Sequence, residues 1–233
     1  MSPEISALVQ YMTIELPQLE ATYGWKTPEL KGFPRCGERS YTANIDLKNY
    51  LNRQWRSAGS KSEKVEIARV VISDWGGVRN NKMQTLEKYV DHIEMSDPPM
   101  PIKGVASYSK LYSIVRPDDY VIYDARVAVC LNAVQFNCGL RKGSAFNYVP
   151  GRNNITGHAE KRTGFAYDSR FQTKSLIKRG WKRIKRDDTY GLYLSMMKEC
   201  LSHFKGKKLR DLEMVLFANA ESECSKAMNA RTA

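Results

Sequence analysis

Cysteine is scarce in this chain and nowhere paired. Cys36, Cys130, Cys138, Cys200 and Cys224 are odd in number and widely spaced, with no C-x-x-C among them. A disulfide framework, a structural zinc site and a four-cysteine iron–sulfur site are not expected. The thiols read as reduced and mostly buried, in a cytoplasmic protein. Apolar runs are short, and none approaches the roughly 18–20 residues of a membrane-spanning helix. The opening Met1-Ser2-Pro3-Glu4 has no basic n-region before an apolar stretch, so a secretory signal is not expected. Histidine is rarer still. His92, His158 and His203 form neither H-E-x-x-H nor H-x-E…P-C-x-x-C, which argues against zinc-dependent hydrolysis and deamination. The glycine-containing stretch Gly151-Arg152-Asn153-Asn154 lacks the G-x-x-x-x-G-K-[ST] pattern, so NTP hydrolysis is not indicated. No metal and no organic cofactor are expected.

Acidic residues become scarce after position 140. Residues 1–140 are nearly balanced, with 17 basic and 16 acidic side chains. Residues 141–233 hold 20 basic and 9 acidic ones, almost the whole of the net +12. The densest stretch, Arg170 to Arg186, contains no acid. Its cations Arg170, Lys174, Lys178, Arg179, Lys182 and Arg183 alternate with Phe171, Leu176, Ile177, Trp181 and Ile184. The positions 177, 181 and 184 have helical spacing, which predicts one packed face and one face turned to phosphates. A local, acid-free excess of this kind points to a polyanion, nucleic acid before membrane.

Apolar periodicity predicts a mostly α-helical fold in a single domain, 1–233, with a basic nucleic-acid-binding part from about 141. Helices are expected over 3–16, ended by Pro17, and over 45–57, after an irregular 21–44. A third follows the Ser60–Glu63 capping box and stops near Gly76-Gly77. Asn80 or Asn81 should cap a helix carrying Leu86, Val90 and Ile93, and Asp97-Pro98-Pro99-Met100-Pro101 breaks the chain. Further helices are expected over 106–115, from Pro117 or Tyr123 to Gln135, from Asp187-Asp188 through Phe204, and over 208–220. The loop-like 139–170 region leaves room for short strands.

One stretch carries chemistry: Lys103 to Asn132, KGVASYSKLYSIVRPDDYVIYDARVAVCLN. Asp124 is the only acid between Asp119 and Glu160 and sits among Val121, Ile122, Tyr123, Val127 and Val129. A carboxylate is costly in such surroundings unless it caps a helix or does chemistry. Breaking an N-glycosidic bond develops an oxocarbenium-like sugar, which a carboxylate stabilises while orienting the attacking water. The turn Gly104 to Ser107 should present N–H groups at a helix start, suited to phosphate. Arg126 is free to meet the nucleic-acid backbone or to pair with Asp124.

Gly104-Val105-Ala106 followed 20 residues later by Tyr123-Asp124-Ala125-Arg126-Val127 resembles the helix-hairpin-helix DNA glycosylase superfamily, particularly its 8-oxoguanine-glycosylase-like branch. There a Gly-hydrophobic-Gly hairpin opens a helix, and a Val-Asp-Thr-Arg-Val-like motif supplies the catalytic aspartate. The resemblance implies a helical glycosylase-like fold, with Asp124 as the catalytic carboxylate. Lys103, Gly104, Ser107 and Tyr108 would be the hairpin's DNA contacts. Ala106 replaces the second hairpin glycine. In bifunctional members a lysine nucleophile lies four residues after the first glycine. That position is Tyr108 here, which implies monofunctional base excision. A hairpin of altered length would instead bring in Lys110 as a Schiff-base nucleophile.

The reading is a monomeric enzyme that flips a damaged or modified base out of double-stranded DNA and excises it. A damaged purine, an alkylated base and a modified base of phage DNA are all open as substrates, and the last requires a roomy pocket. Trp75, Tyr108, Phe146 and Tyr148 are candidates to stack on a base or wedge the gap. Arg79 and Asn80 could reach the DNA. His158 reads as solvent-exposed, with substrate contact as the alternative, and Glu213 as a buried helix residue, with contact to the base as the alternative. The rival readings are a non-catalytic DNA- or RNA-binding protein on the same scaffold, a toxin-like nuclease, and a bifunctional glycosylase/lyase using Lys110.

Overall fold

The computed structural model describes residues 1–230 and is mostly α-helical, with short two-stranded sheets. Helix α1 (Pro3–Glu15) starts where the Ser2 hydroxyl accepts the Ile5 N–H. Pro17 converts its end into a 3₁₀ turn that runs into the one-turn α2 (Leu19–Thr22). The next helix, α3 (Tyr41–Ser57), begins earlier than the expected 45 because Ser40 caps it, its hydroxyl accepting the Ala43 N–H. At α4 (Lys61–Arg69) Ser60 accepts the Glu63 N–H, but the Glu63 carboxylate returns to Gly59 rather than to Ser60. The helix then widens into a π turn, Val70–Trp75, closed by Gly76 N–H donating to Val71 O.

Helix α5 (Met83–Glu94) has Lys82 at its N-cap, so neither Asn80 nor Asn81 caps it. Asn81 instead donates to Val78 O, and Asn80 has a left-handed φ of 75°. The proline-rich break leads to α6 (Val105–Val115). Helix α7 (Ala125–Asn137) begins only at 125: residues 117–124 form a turn and then an extended segment, and Asp124 is the N-cap. Strands β1 (Ser144–Ala145) and β4 (Lys182–Arg183) pair in parallel, and β2 (Arg152–Asn153) and β3 (Gly157–His158) pair antiparallel.

The helical expectation for the basic stretch is corrected. Helix α8 covers only Thr173–Lys178, Gly180 turns the chain at φ 92°, and β4 follows. Leu176, Trp181 and Ile184 are buried from a helix, a turn and a strand end rather than from one helical face. Asp188 precedes α9 (Thr189–Leu201) without a side-chain cap bond, and Asp187 accepts the Ile102 N–H instead of capping. Helix α10 (Leu209–Asn229) runs nine residues past the expected end. Its inner face packs mainly on α7. One continuous apolar core runs from Ile5 in α1 to Ala227 in α10. Among the described residues no helix is long and apolar enough to cross a membrane.

Candidate active site

Asp124 ends an extended segment whose neighbours Val121 and Tyr123 are fully buried, so its backbone is fixed from both sides. One carboxylate oxygen, Oδ1, accepts the N–H groups of Arg126 (3.0 Å) and Val127 (3.2 Å). This is the helix-capping role. The other oxygen, Oδ2, lies 3.6 Å from Lys110 Nζ. One oxygen of the side chain thus caps the helix while the other faces the Lys110 ammonium.

Lys110 projects from the second turn of α6. Its ammonium donates to Ala106 O at 2.7 Å, and the side chain is only 6% exposed. Its stem passes over Gly76, where a Cβ would lie 2.4 Å from Lys110 Cδ and 2.8 Å from Ile72 O. Gly76, the first of the glycine pair that reads in sequence as a helix stop, is thus also the clearance for Lys110. Tyr108, the position a strict match assigns to the nucleophile, points elsewhere. It is buried, donates to Pro101 O at 2.7 Å and packs against Tyr112, Tyr89 and Tyr190.

Lys110 and Asp124 open onto a cavity of about 270 Å³. Tyr23, Trp25, Trp75 and Phe217 supply aromatic wall. Buried Asn44 ties two of these together, accepting the Trp75 indole N–H at 3.2 Å and donating to Trp25 O at 2.7 Å. Phe217 stands edge-on to Trp25, with ring centroids 5.2 Å apart, and carries the Arg126 guanidinium over its face. Ala125, Pro150, Gly151 and Thr156 also line an adjoining groove of about 140 Å³.

Glu213 lies in the wall of the larger cavity, 1% exposed, with Oε2 2.9 Å from Lys48 Nζ. Burial pushes its carboxyl above the usual range and Asp124 adds to this; Lys48 and Lys110 oppose it. The ion pair explains how a glutamate survives in an apolar helix, and its place in the cavity wall was not evident from spacing.

Several of the expected DNA contacts are buried or already engaged in internal bonds. Ser107 is buried, and its N–H is taken by Gly104 O. Tyr108 is buried as described, and Phe146 is fully so. Tyr148 is half-buried and donates to Phe171 O. Arg126 pairs with Glu221, not with Asp124. Arg170 is held by Asp168 at 2.7 Å and by Met228 O at 2.9 Å.

Other candidates stand open. Gly104 makes the left-handed turn before α6 at φ 85°, where a Cβ would lie 2.3 Å from the Tyr89 hydroxyl. Lys103, Arg79 and Asn80 are exposed, and His158 is half-buried. Lys174, Lys178, Arg179, Lys182 and Arg183 are all exposed. They form a basic ridge with Arg141 and Lys142, attached to the far end of α7, where Gln135 exchanges hydrogen bonds with Ser144 of β1. Helix α7 has 13 residues, so the ridge lies about 20 Å along its axis from Asp124. Among the described residues no group of three or more His, Cys, Asp or Glu side chains gathers as metal ligands.

Comparison with protein-family models, with curated proteins and with solved structures finds no match to this chain.

Proposed function

We propose that this protein is a DNA N-glycosylase of helix-hairpin-helix type that takes an extruded base into the aromatic cavity and cuts its glycosidic bond beside Asp124 and Lys110. The carrying observation is their meeting: the two residues lie 14 apart in the chain, converge to 3.6 Å and share one aromatic-walled cavity. Aromatic walls bind any base by its face. The free oxygen of Asp124 is placed to stabilise the positive charge that develops on the sugar. Glu213 is available to accept an N–H from the base edge.

The position of Lys110 favours the lyase branch of this reading over simple hydrolysis. Its neutral amine attacks C1′, the C1′–N bond breaks, and the base leaves with the electron pair and takes up a proton. The C1′–O4′ bond then opens with its electron pair to O4′, which takes up the proton lost by the lysine nitrogen, leaving an iminium that borohydride reduces to a stable secondary amine. Trapping with borohydride on DNA carrying the substrate base is expected to give a covalent adduct in the wild-type chain and none in Lys110→Gln. Base release without any adduct in the wild type would return the assignment to hydrolysis. The substrate is found by mass spectrometry of bases released from DNA bearing a panel of modifications, phage DNA included. The adjoining groove is room for a substituent, so bulky bases belong in that panel. No released base from any member would overturn the proposal.

The ridge supplies sequence-independent grip. Replacing Lys174, Lys178, Lys182 and Arg183 together by glutamine is expected to weaken duplex binding on every sequence. It should also lower the salt slope by about 0.9 for each phosphate that is no longer neutralised. Base release at saturating DNA should be unchanged. A slope identical to wild type in a salt titration would exclude the ridge from the interface.

A further inference from the structure

Tyr23 gives the cavity more than an aromatic face. It stands at the end of α2, where its N–H still donates to Leu19 O at 3.0 Å while its backbone turns extended, at φ −78° and ψ 115°. Its ring leans on Phe217 of α10, with centroids 5.9 Å apart. The residue is only 5% exposed. Among the described residues the Tyr23 hydroxyl has no hydrogen-bond partner. The same is true of Tyr11 Oη, Tyr193 Oη and Arg210 Nε, but those three atoms are sealed from solvent and the Tyr23 hydroxyl is not. It lies on the cavity side of the molecule, since the charges that act on it, those of Glu213, Asp124 and Arg126, all belong to the cavity wall.

Other donors of the wall are already engaged. The Trp25 and Trp75 indole N–H groups go to Trp75 O and Asn44 Oδ1. Arg126 goes to Glu221, and Arg152 to Gly77 O. A hydroxyl this deeply buried normally finds a partner. An open cavity supplies one, water when it is empty and a guest when it is filled, and a guest that expels the water has to replace its bond. Burial holds the Tyr23 phenol well above its ordinary range, and Glu213 and Asp124 add to this against Arg126. The phenol therefore stays neutral and keeps a proton to donate.

We infer that the Tyr23 hydroxyl is a further catalytic group, which donates a hydrogen bond to an acceptor atom of the extruded base and stabilises the negative charge the base gains as it leaves. This rests on the base-excision reading. The C1′–N bond breaks with its electron pair passing to the base, whose ring nitrogen or carbonyl oxygen carries the charge. Tyr23 keeps its own proton, and the released base takes one from solvent. The charge exists only as the bond breaks, so the contact is stronger in the transition state than in the bound substrate.

The test is Tyr23→Phe, which removes the hydroxyl and keeps the ring. Two DNA duplexes are used. One carries the base that the wild type releases, and the other a tetrahydrofuran abasic site, where no base is present to receive the bond. Single-turnover release at saturating DNA is expected to fall about 100-fold, the lower end for loss of one donor that meets developing charge. Affinity for the abasic duplex should stay within about twofold of wild type. The Tm should not fall, because the hydroxyl holds nothing inside the protein. Release at the wild-type rate would remove Tyr23 from the reaction and leave base excision standing. A matching loss of abasic-site affinity, or a fall in Tm, would make Tyr23 a structural residue and overturn its catalytic role. Failure of the wild type to release a base from any DNA of the panel would overturn the excision reading and this assignment together.

Discussion

Asp124→Asn is expected to lower base release at saturating DNA by about 10²–10⁴-fold, the range associated with a positioned acid–base group, while leaving the protein folded. The separation of roles at this side chain makes the experiment clean. Asparagine still accepts the Arg126 and Val127 N–H groups through Oδ1, and asparagine and aspartate are comparable N-caps. What disappears is the negative charge 3.6 Å from Lys110. Single-turnover release of free base gives the rate, and circular dichroism melting gives the stability. Wild-type release from Asp124→Asn would remove catalysis from this site. A collapse of stability with it would mean that the carboxylate is needed mainly to hold the helix.

Lys48→Met is expected to destabilise the protein by about 3–5 kcal/mol at neutral pH, because it leaves a buried carboxylate without its partner. Lys48 and Glu213 are 4% and 1% exposed and 2.9 Å apart, so water cannot take over the lost interaction. The sign of the pH dependence follows from the raised Glu213 carboxyl. A carboxyl that titrates higher in the native state than in the unfolded chain binds more protons when folded. Its charging therefore costs stability as pH rises from the unfolded value, near 4.3, through the native one. Removing Lys48 pushes the native value higher still. The deficit of Lys48→Met should accordingly shrink as pH falls toward that window, and Lys48→Met with Glu213→Gln should recover part of it at pH 8. Urea unfolding at pH 5 and pH 8 measures this, and an equal deficit at both pH values would contradict the account.

Helices with a full apolar stripe were legible in the sequence, since Leu86, Val90 and Ile93 or Tyr190, Leu194 and Met197 repeat at helical spacing and are buried. Asp124 was legible for a different reason: an isolated acid in an apolar run needs an explanation. Lys110 was visible only as a neighbour of the expected position. The residue spacing of a hairpin does not reveal which helical residue faces the next segment. Of the aromatic cavity wall, only Trp75 was legible. Trp25 comes from an irregular segment and Phe217 from the third turn of α10, and nothing local links them until the chain folds. The basic stretch misled because 177, 181 and 184 match a helical period, while Gly180 takes a left-handed φ that ends the helix. Periodicity counts residues and is blind to such a turn.

The π turn at Val70–Trp75 carries a consequence for how this chain tolerates insertions and deletions. A π turn is an α-helix with one residue in excess. Shortening it by one residue would relax the backbone into a regular helix. The same deletion would swing Trp75 by about 100° around the helix axis, out of the cavity wall, and would draw Gly76 from beneath the Lys110 stem. Trp75 serves the core and the cavity wall at once, so chain length here is dictated by both, and drift in length along α4 is confined to variants that keep the surplus residue.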